Sequence, residues 1–267
     1  MRSERWWHPL ASGPDGRPDV GRGVGPSVPP FQLSPQAWRS GRYRVGRLGL
    51  WRALTPLIPR AADNGAYAAD VGCGLRPFDL VLRRRGYTPV AVDASSDAAD
   101  CLGSLPRLPF RDETFPLCLC INVLQYVEDP LGACRELRRI LRPAGTVLIV
   151  VPHCGPLGPH DLWRWTEHAG RKMLGDGGFE SIEVAPILPT VSIQFHLLAL
   201  SACKAVPFLG RGIGAGLNLV SLAALHSTNT RLTGGYVFRG RKSASSTPAR
   251  VSLADFPEPA PHGEPAV

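Results

Sequence analysis

Short apolar runs alternate with amphipathic segments through the middle of the chain. The apolar runs predict strands, and they cover residues 67–71, 89–93, 117–122, 146–151, 179–184 and 235–241. Amphipathic spacing predicts helices between them, at residues 78–85, 130–141 and 167–174. Strands that alternate with helices at short intervals are typical of a parallel sheet with crossover helices, so the pattern predicts an α/β domain.

The segments on either side of this core differ from it in composition. Residues 1–35 are rich in Gly, Pro and Arg, and we expect a disordered or draped arm. Loosely helical spacing after this arm predicts entry helices that are ended by prolines. Residues from about 190 to 230 predict a helical cap over the substrate pocket rather than a membrane span, because Pro, Gln and His interrupt the apolar run. Residues 243–267 predict a flexible tail, which leaves 36–242 as the catalytic domain.

Composition and charge narrow the class of protein. The chain has 267 residues and 44% hydrophobic content, which is enough for one large core. Its seven cysteines form no CxxC pair and mostly lie in apolar runs, so they are predicted to be small buried hydrophobes in a reducing compartment. The charged N-terminus lacks an apolar stretch of signal-peptide length, and we expect a cytoplasmic protein.

The formal net charge of +8 comes largely from arginines ahead of the core. Two interpretations of these arginines stay open: a solvated basic arm, which we favour, and a surface for anionic partners such as phosphates or acidic lipids. No tract interleaves aromatic and basic residues, so no nucleic-acid partner is expected. Peripheral contact with a membrane stays open.

The strongest local motif is a strand that runs directly into two glycines, Gly72 and Gly74. Glycines at such a turn let the backbone approach a ligand closely, and the helix that follows offers unpaired N–H groups. Asp93 follows about 20 residues later at the end of the next strand, where a carboxylate accepts hydrogen bonds from ribose hydroxyls. The two features together predict a nucleoside cofactor without saying which one.

With these residues the sequence resembles the class I S-adenosylmethionine-dependent methyltransferases of the small-molecule type. The resemblance covers residues 67–179 and, more weakly, 235–242. Its blocks are Asp70-Val71-Gly72-Cys73-Gly74, Leu108-Pro109-Phe110, Val123-Leu124-Gln125-Tyr126 and Arg142-Pro143-Ala144-Gly145. It implies a Rossmann-like, doubly wound, mostly parallel sheet of seven strands, with helices on both faces, N-terminal helices and a helical cap inserted before the last strand.

The same resemblance implies how S-adenosylmethionine would bind. Gly72 and Gly74 would line its methionine part, and Asp70 would help to hold the amino group. Asp93 would bind the ribose, and Asn122 would flank the transferable methyl group at the end of its strand. The full set of implied cofactor contacts is Asp70, Gly72, Cys73, Gly74, Asp93, Ala94, Ser104, Asn122 and Val123.

Three positions depart from the family pattern. The third glycine of the usual run is replaced by Leu75-Arg76-Pro77, and the acidic residue that usually contacts adenine is absent. Ser104 or backbone groups would take that adenine contact. The usual Phe-Asp before the next strand is Phe115-Pro116 here, and proline is tolerated at the first residue of a strand.

Catalytic candidates follow the strand that ends near residue 152. Methyl transfer requires positioning of the acceptor and, for some acceptors, removal of a proton. His153 and His160 are candidates because an imidazole accepts a proton near neutral pH, and Asp161 is placed to orient one. In the alternative interpretation this segment is structural, with Thr166 as a helix N-cap and Arg164 as a hydrogen-bond donor. No metal site is predicted, because the His and Cys spacing matches no compact zinc motif.

The sequence therefore predicts methyl transfer to a small, apolar or lipid-like metabolite, by a monomer or a homodimer. One alternative keeps the fold without catalysis, as a methyltransferase-fold partner that stabilises another enzyme. A further alternative is a nicotinamide-dependent reductase, which we rank last because it needs a glycine at Pro77. The sequence alone does not identify the acceptor.

Overall fold

The computed structural model describes residues 44–155, 160–205, 210–227, 229–230 and 232–244. Its strands are β1 (Ala66–Val71), β2 (Tyr87–Asp93), β3 (Cys101–Leu102), β4 (Phe115–Ile121), β5 (Leu141–Pro152), β6 (Phe179–Pro186) and β7 (Gly235–Lys242). Its α-helices are α1 (Arg44–Leu54), α2 (Asp79–Arg84), α3 (Pro130–Ile140), α4 (Glu167–Asp176), α5 (Thr190–Ala205) and α6 (Gly210–Ala223). The predicted arm at 1–35 and nearly all of the predicted tail lie outside the described residues.

The strands form a seven-stranded sheet in the order β3-β2-β1-β4-β5-β7-β6. The five strands from β3 to β5 are parallel, and β7 runs antiparallel to both of its neighbours. The prediction of a mostly parallel, seven-stranded α/β sheet is confirmed. Strand order reverses between β1 and β4, and in open sheets the carboxyl ends of strands at such a point form a ligand-binding crevice.

Helices cover both faces of the sheet, and β4 shows how the sequence specifies this. Alternate residues Leu117 and Leu119 pack with Leu82 of α2, whereas Cys118 and Cys120 pack in the cluster that contains α3 and α4. Burial raises the pKa of both thiols well above the ordinary value, so they stay neutral. These two cysteines are therefore core residues, as the sequence predicts.

Three features of the strands differ from the sequence-based expectations: one strand was missed, one begins earlier, and one contains proline at its second position. The two-residue strand β3 was missed, because Cys101 and Leu102 are too short a run to show a period. Strand β5 begins at Leu141 rather than near residue 146. Pro116 is the second residue of β4 rather than the first, and the register shifts between Phe115 and Leu117, so the missing N–H falls at an irregularity in the ladder.

The predicted cap is a pair of helices, α5 and α6, that follows β6. The two helices are joined by reciprocal hydrogen bonds: the Ser192 hydroxyl donates to the Ser221 carbonyl at 2.8 Å, and the Ser221 hydroxyl donates to the Ser192 carbonyl at 2.7 Å. Ile193 of α5 packs in an apolar cluster with Leu188 and with Val45 of α1. The cap therefore rests on the N-terminal entry helix. None of the helices in the described ranges is long and apolar enough to span a membrane.

Candidate active site

The glycine turn after β1 combines a backbone conformation and a close contact that both favour glycine. Gly72 has a φ of +74°, and its N–H donates to the Val92 carbonyl at 2.7 Å. A Cβ at Gly72 would lie 2.1 Å from Cγ2 of Val123, the second residue after β4. Gly74 also has a positive φ, of +52°. The turn thus packs directly against the end of the neighbouring strand, at the crevice where the strand order reverses.

Asp93, at the end of β2, organises the facing loop. One carboxylate oxygen accepts the N–H groups of Ser95 and Ser96, and the other accepts the N–H of Gly74, each at 3.0 Å. Burial acts to raise the pKa of this carboxyl, but the backbone donors outweigh burial and hold the pKa below the ordinary value. A carboxylate has about four acceptor sites, so the three N–H donors leave the ionised Asp93 capacity for about one ribose hydroxyl.

Arg76 stands where the family pattern has its third glycine, and its side chain ties two loops together. The guanidinium donates to Asp79 at 3.0 Å and to Asp100 at 2.6 Å, and Asp100 also accepts the Ala91 N–H of β2 at 2.8 Å. Arg76 and Asp79 are both buried. The turn after β1 is therefore linked by charge to the loop after β2. The sequence analysis assigned no role to Arg76.

Two further predicted contacts, Asp70 and Cys73, are buried beside this turn. Burial, reinforced by the charge of Asp79 and opposed by Arg76, raises the pKa of Asp70 from 3.8 to about 7. The Oδ2 atom of Asp70 is buried and accepts no hydrogen bond from the described residues. Burial likewise raises the pKa of the Cys73 thiol to about 12, so Cys73 is a neutral packing residue. Asp70 therefore has an unused acceptor that suits a cationic ligand group.

A cavity of about 770 Å³ opens in front of the glycine turn. It brings together six of the predicted contacts with residues of the loops that follow β3 and β4. Its lining is Val71, Gly72, Asp93, Ala94, Gly103, Ser104, Leu105, Pro106, Asn122, Val123, Tyr126, Val127, Glu128 and Asp129. Tyr126 is 52% exposed and lines this cavity.

The predicted adenine end of this cavity is more open than the ribose end. Ser104 is exposed, and its hydroxyl donates to the carbonyl of the next residue at 3.2 Å. Glu128 and Asp129 supply acidic groups to the same cavity, although Asp129 is engaged as the N-cap of α3 through the Gly132 N–H at 2.8 Å. This end of the cavity therefore contains polar groups in addition to the backbone.

A second cavity, of about 460 Å³, lies under the cap. Its walls are mostly apolar and come from α1, the end of β5, the segment after β6 and α5. They are Gly46, Arg47, Leu50, Asn122, Val151, Pro152, Cys154, Gly155, Arg164, Ile187, Leu188, Ile193, His196 and Gly234. Asn122 lines both cavities.

Asn122 reaches this shared position because the backbone turns sharply after β4. Its φ is +55°, a left-handed conformation that asparagine tolerates better than most residues. Its N–H donates to the Val150 carbonyl at 3.0 Å, and its own carbonyl accepts the Gln125 side chain at 2.9 Å. The turn is thus held from both sides, and it fixes the junction between the two cavities.

His196 is a cavity residue that the sequence analysis did not propose. It is buried on α5, and its Nδ1 lies 3.3 Å from Oδ1 of Asn218 on α6. Burial lowers the pKa of His196, and the Asn218 hydrogen bond acts against this without reversing it. Because an amide oxygen only accepts, Nδ1 carries the proton and Nε2 keeps its lone pair. The sequence did contain a signal that could have pointed to His196. Two polar residues, Ser192 and His196, lie one helical turn apart in an otherwise largely apolar helix.

Comparison with known proteins identifies the central part of the chain. Residues 69–149 match the family model described as a methyltransferase domain. This match and the seven-stranded sheet support a class I S-adenosylmethionine-dependent methyltransferase domain in the central part of the chain. The glycine turn, the ribose carboxylate and the end of β4 all lie within the matched residues. This family assignment removes the basis for the nicotinamide-dependent reductase.

Relatives and solved structures agree with a methyltransferase domain. An uncharacterized methyltransferase of Mycobacterium sp. (strain JLS) is 34% identical over 125 residues, which are 42% of this chain and 48% of the relative. A malonyl-[acyl-carrier protein] O-methyltransferase of Erwinia pyrifoliae is 34% identical over 96 residues, covering 32% of this chain and 37% of that protein. The chain thus spans half or less of the length of these relatives.

The crystal structure of a SAM-dependent methyltransferase from Thermotoga maritima matches the fold. The TM-score is 0.50 at 17% identity, and the match covers 75% of this chain and 93% of the other. At this identity the likeness concerns the methyltransferase fold alone.

The methyltransferase domain holds the two predicted catalytic histidines away from the cavity lining. Nδ1 of His153 lies 2.8 Å from the Trp165 carbonyl, and its ring packs 5.5 Å from that of Tyr236. His160 is exposed. Neither histidine belongs to the residues that line the two cavities described above. Their placement favours the structural interpretation of this segment.

The rest of that segment also agrees with the structural interpretation. The Thr166 hydroxyl accepts the Ala169 N–H at 3.2 Å and caps α4, so the predicted N-cap is confirmed. Arg164 donates to the carboxylate of Asp161 and lines the second cavity. Within the described part of the chain, no group of three or more potential metal ligands is assembled.

Proposed function

We propose that the protein transfers a methyl group from S-adenosylmethionine to a small, largely apolar acceptor bound under the cap. One observation supports this most directly: Asn122 lines both the cavity at the glycine turn and the cavity under α5. Two ligands bound in these cavities would meet at the end of β4. Holding two reactants in line is most of what a methyl-transfer enzyme must do.

The residues present fit S-adenosylmethionine. Asp93 would bind a ribose hydroxyl with its spare acceptor capacity, and Gly72 would face the methionine part. The buried Oδ2 of Asp70 would pair with the amino group, and the backbone of residues 103–106 would contact adenine. S-Adenosylmethionine supplies an electrophilic methyl group for in-line displacement.

The walls of the second cavity define the acceptor class. Leu50, Val151, Leu188 and Ile193 give an apolar surface of the kind that small-molecule pockets use for affinity. We assign His196 as the group that accepts the acceptor's proton, in place of His153 and His160. Its Nδ1 is committed to Asn218, so the lone pair on Nε2 is the one available for a hydroxyl or amine proton.

Isothermal titration with S-adenosylmethionine tests the cofactor half of the proposal. Asp93→Asn replaces one acceptor oxygen by a donor, so we expect at least a roughly tenfold loss of affinity. Asp97→Asn is the matched control, because Asp97 is an exposed carboxylate in the same loop and should bind like the parent protein. Absence of binding at millimolar cofactor would refute the proposal and favour the non-catalytic alternative.

A panel of small apolar alcohols, phenols, amines and acids tests the acceptor half, with methylated products detected by mass spectrometry. For an accepted compound, His196→Gln should lower kcat by about a hundredfold or more while KM changes little. His168→Gln, at an exposed position on α4, is the control. Equal turnover by His196→Gln would remove this histidine from the mechanism.

A further inference from the structure

From Ile213 onward, the exposed residues of α6 are all apolar. Ile213 is 50% exposed, Leu219 is 67% exposed and Val220 is 45% exposed. The exposed residues of the described part of this helix are Ile213, Ala215, Gly216, Leu219, Val220 and Ala223. A surface helix normally presents polar side chains to water, and a contiguous apolar face marks a site of contact.

The opposite face of α6 is already committed to α5. Ser221 forms reciprocal hydrogen bonds with Ser192, and Asn218 accepts from His196. Rotation of α6 to bury its outward face would break these bonds and expose buried polar groups. The apolar face is therefore a fixed surface of the folded domain.

The segment that carries this face has charged residues of one sign only. The sequence contains no Asp or Glu between Glu183 and Asp255. Lys204 lies near the end of α5, and Arg211 lies near the beginning of α6. An apolar face on a segment whose charged residues are all basic is complementary to an anionic lipid surface, where apolar side chains enter the headgroup boundary.

The length of α6 decides how it would meet a bilayer. The helix has 14 residues, which is shorter than the roughly 20 needed to cross the hydrocarbon core. It suits a position in the plane of the interface, parallel to the membrane surface. Its partner helix α5 contributes Ile193 and His196 to the second cavity, so the docking face and the acceptor cavity share one helix pair.

We propose that α6 docks the domain on anionic phospholipid surfaces through Ile213, Leu219 and Val220. Docking would place the cavity under α5 next to the bilayer, from which an apolar acceptor can enter. That consequence for the acceptor rests on the proposed function, whereas the docking itself does not.

Co-sedimentation of the full chain with vesicles tests the docking surface. We compare vesicles of phosphatidylcholine alone with vesicles in which part of it is replaced by phosphatidylglycerol. The parent protein should bind the anionic vesicles preferentially, and added salt should weaken binding. Leu219→Asp should reduce partitioning at least about tenfold, because a charge replaces an exposed leucine that would enter the lipid headgroup boundary.

Matched variants separate docking from folding. Leu162→Asp makes the same change at a 55% exposed leucine outside the cap and should bind like the parent. Ile213→Asp provides a second, independent break of the face. Thermal unfolding shows whether each variant is folded. Equal vesicle binding by parent, Leu219→Asp and Ile213→Asp would overturn the proposal.

A second copy of the chain is the competing occupant of this face. Concentration-dependent dimerisation in size-exclusion chromatography that Leu219→Asp abolishes, without vesicle binding by the parent, would also overturn the proposal. Titration with S-adenosylmethionine on the same samples keeps the two proposals distinct. Retained cofactor binding with no vesicle binding removes only the docking surface.

Discussion

The two halves of the site are held together by different physical means. On the cofactor side, Arg76 is charge-paired to Asp79 and Asp100, and these contacts are largely withdrawn from water. On the side of the proposed acceptor, neutral groups join the cap helices, with Ser192 bonded to Ser221 and His196 to Asn218. Removing one member of a buried charge pair costs more than removing one neutral hydrogen bond. The cofactor half should therefore tolerate substitution far less than the cap.

The largest expected effect comes from Arg76→Leu. It leaves the buried carboxylate of Asp79 without its main partner, and we expect the free energy of unfolding to fall by about 3–5 kcal/mol. The matched control is Arg83→Leu. Arg83 approaches the same carboxylate only to 4.0 Å and is largely solvated, so its loss should cost about 1 kcal/mol or less.

Urea unfolding of the two arginine variants measures this difference. A similar, small loss of stability in both would mean that Arg76 does not hold the loops together. The asymmetry between the two halves of the site would then disappear.

The next effect tests the close approach of β1 and β4. Gly72→Ala adds a methyl group that would lie 2.1 Å from Val123 Cγ2, at a φ of +74°. Gly65→Ala has a similar φ of +87° but open space around the new Cβ, so it reports the backbone strain alone. We expect Gly72→Ala to be less stable than Gly65→Ala by about 1–3 kcal/mol, because overpacking adds to the strain.

Thermal unfolding of the two glycine variants gives this comparison directly. The double variant Gly72→Ala/Val123→Ala should recover most of the difference, since it removes the clashing methyl groups. If the double variant is no more stable than Gly72→Ala, the loss of stability comes from backbone strain rather than from the contact with Val123.

The cofactor half could be predicted from the sequence because local patterns encode it. Apolar runs gave the strands, and the glycine turn and Asp93 stand at strand ends whose positions the sheet topology fixes. The N–H of Gly74 donates to the Asp93 carboxylate across 19 residues, so the two predicted residues lie side by side. Backbone geometry determines which residue types can stand at these strand ends. Such positions can therefore be recognised in the sequence.

The acceptor half could not be predicted because packing assembles it from distant segments. His196 and Asn218 are 22 residues apart, on two helices whose apolar sequences carry no chemical motif. Arg76 and Asp100 show the same limit on the cofactor side, since their pairing across 24 residues follows only from the arrangement of two loops. The histidines chosen from the sequence, His153 and His160, were near a strand end but do not line the described cavities.

A smaller effect is expected for the cap. Ser192→Ala removes one hydroxyl of the reciprocal pair and should cost about 1–2 kcal/mol. Ser192→Ala/Ser221→Ala removes both hydroxyls, and its cost should be less than the sum of the two single changes, because the two Oγ atoms also lie 3.1 Å apart and each single change removes this partner from the hydroxyl that remains. A double-mutant cycle in urea measures this coupling. Additive costs would show that the two bonds act independently.

The smallest effect concerns the pH dependence of cofactor binding through Asp70. Its pKa in the folded protein is raised from 3.8 to about 7, chiefly by burial. The stability that Asp70 contributes is present below the unfolded value and is lost as the pH rises through about 7, since ionisation in the buried site is unfavourable. A cationic amino group of the ligand compensates this cost, so binding should favour the ionised carboxylate.

Affinity for S-adenosylmethionine should consequently rise roughly tenfold between about pH 5.5 and 7.5, a range in which an α-amino group stays largely protonated. Asp70→Asn should bind more weakly at the upper end and show almost no pH dependence. Isothermal titration of both proteins across this range provides the measurement. A parallel pH profile in Asp70→Asn would mean that another group controls the titration and that Asp70 does not meet the amino group.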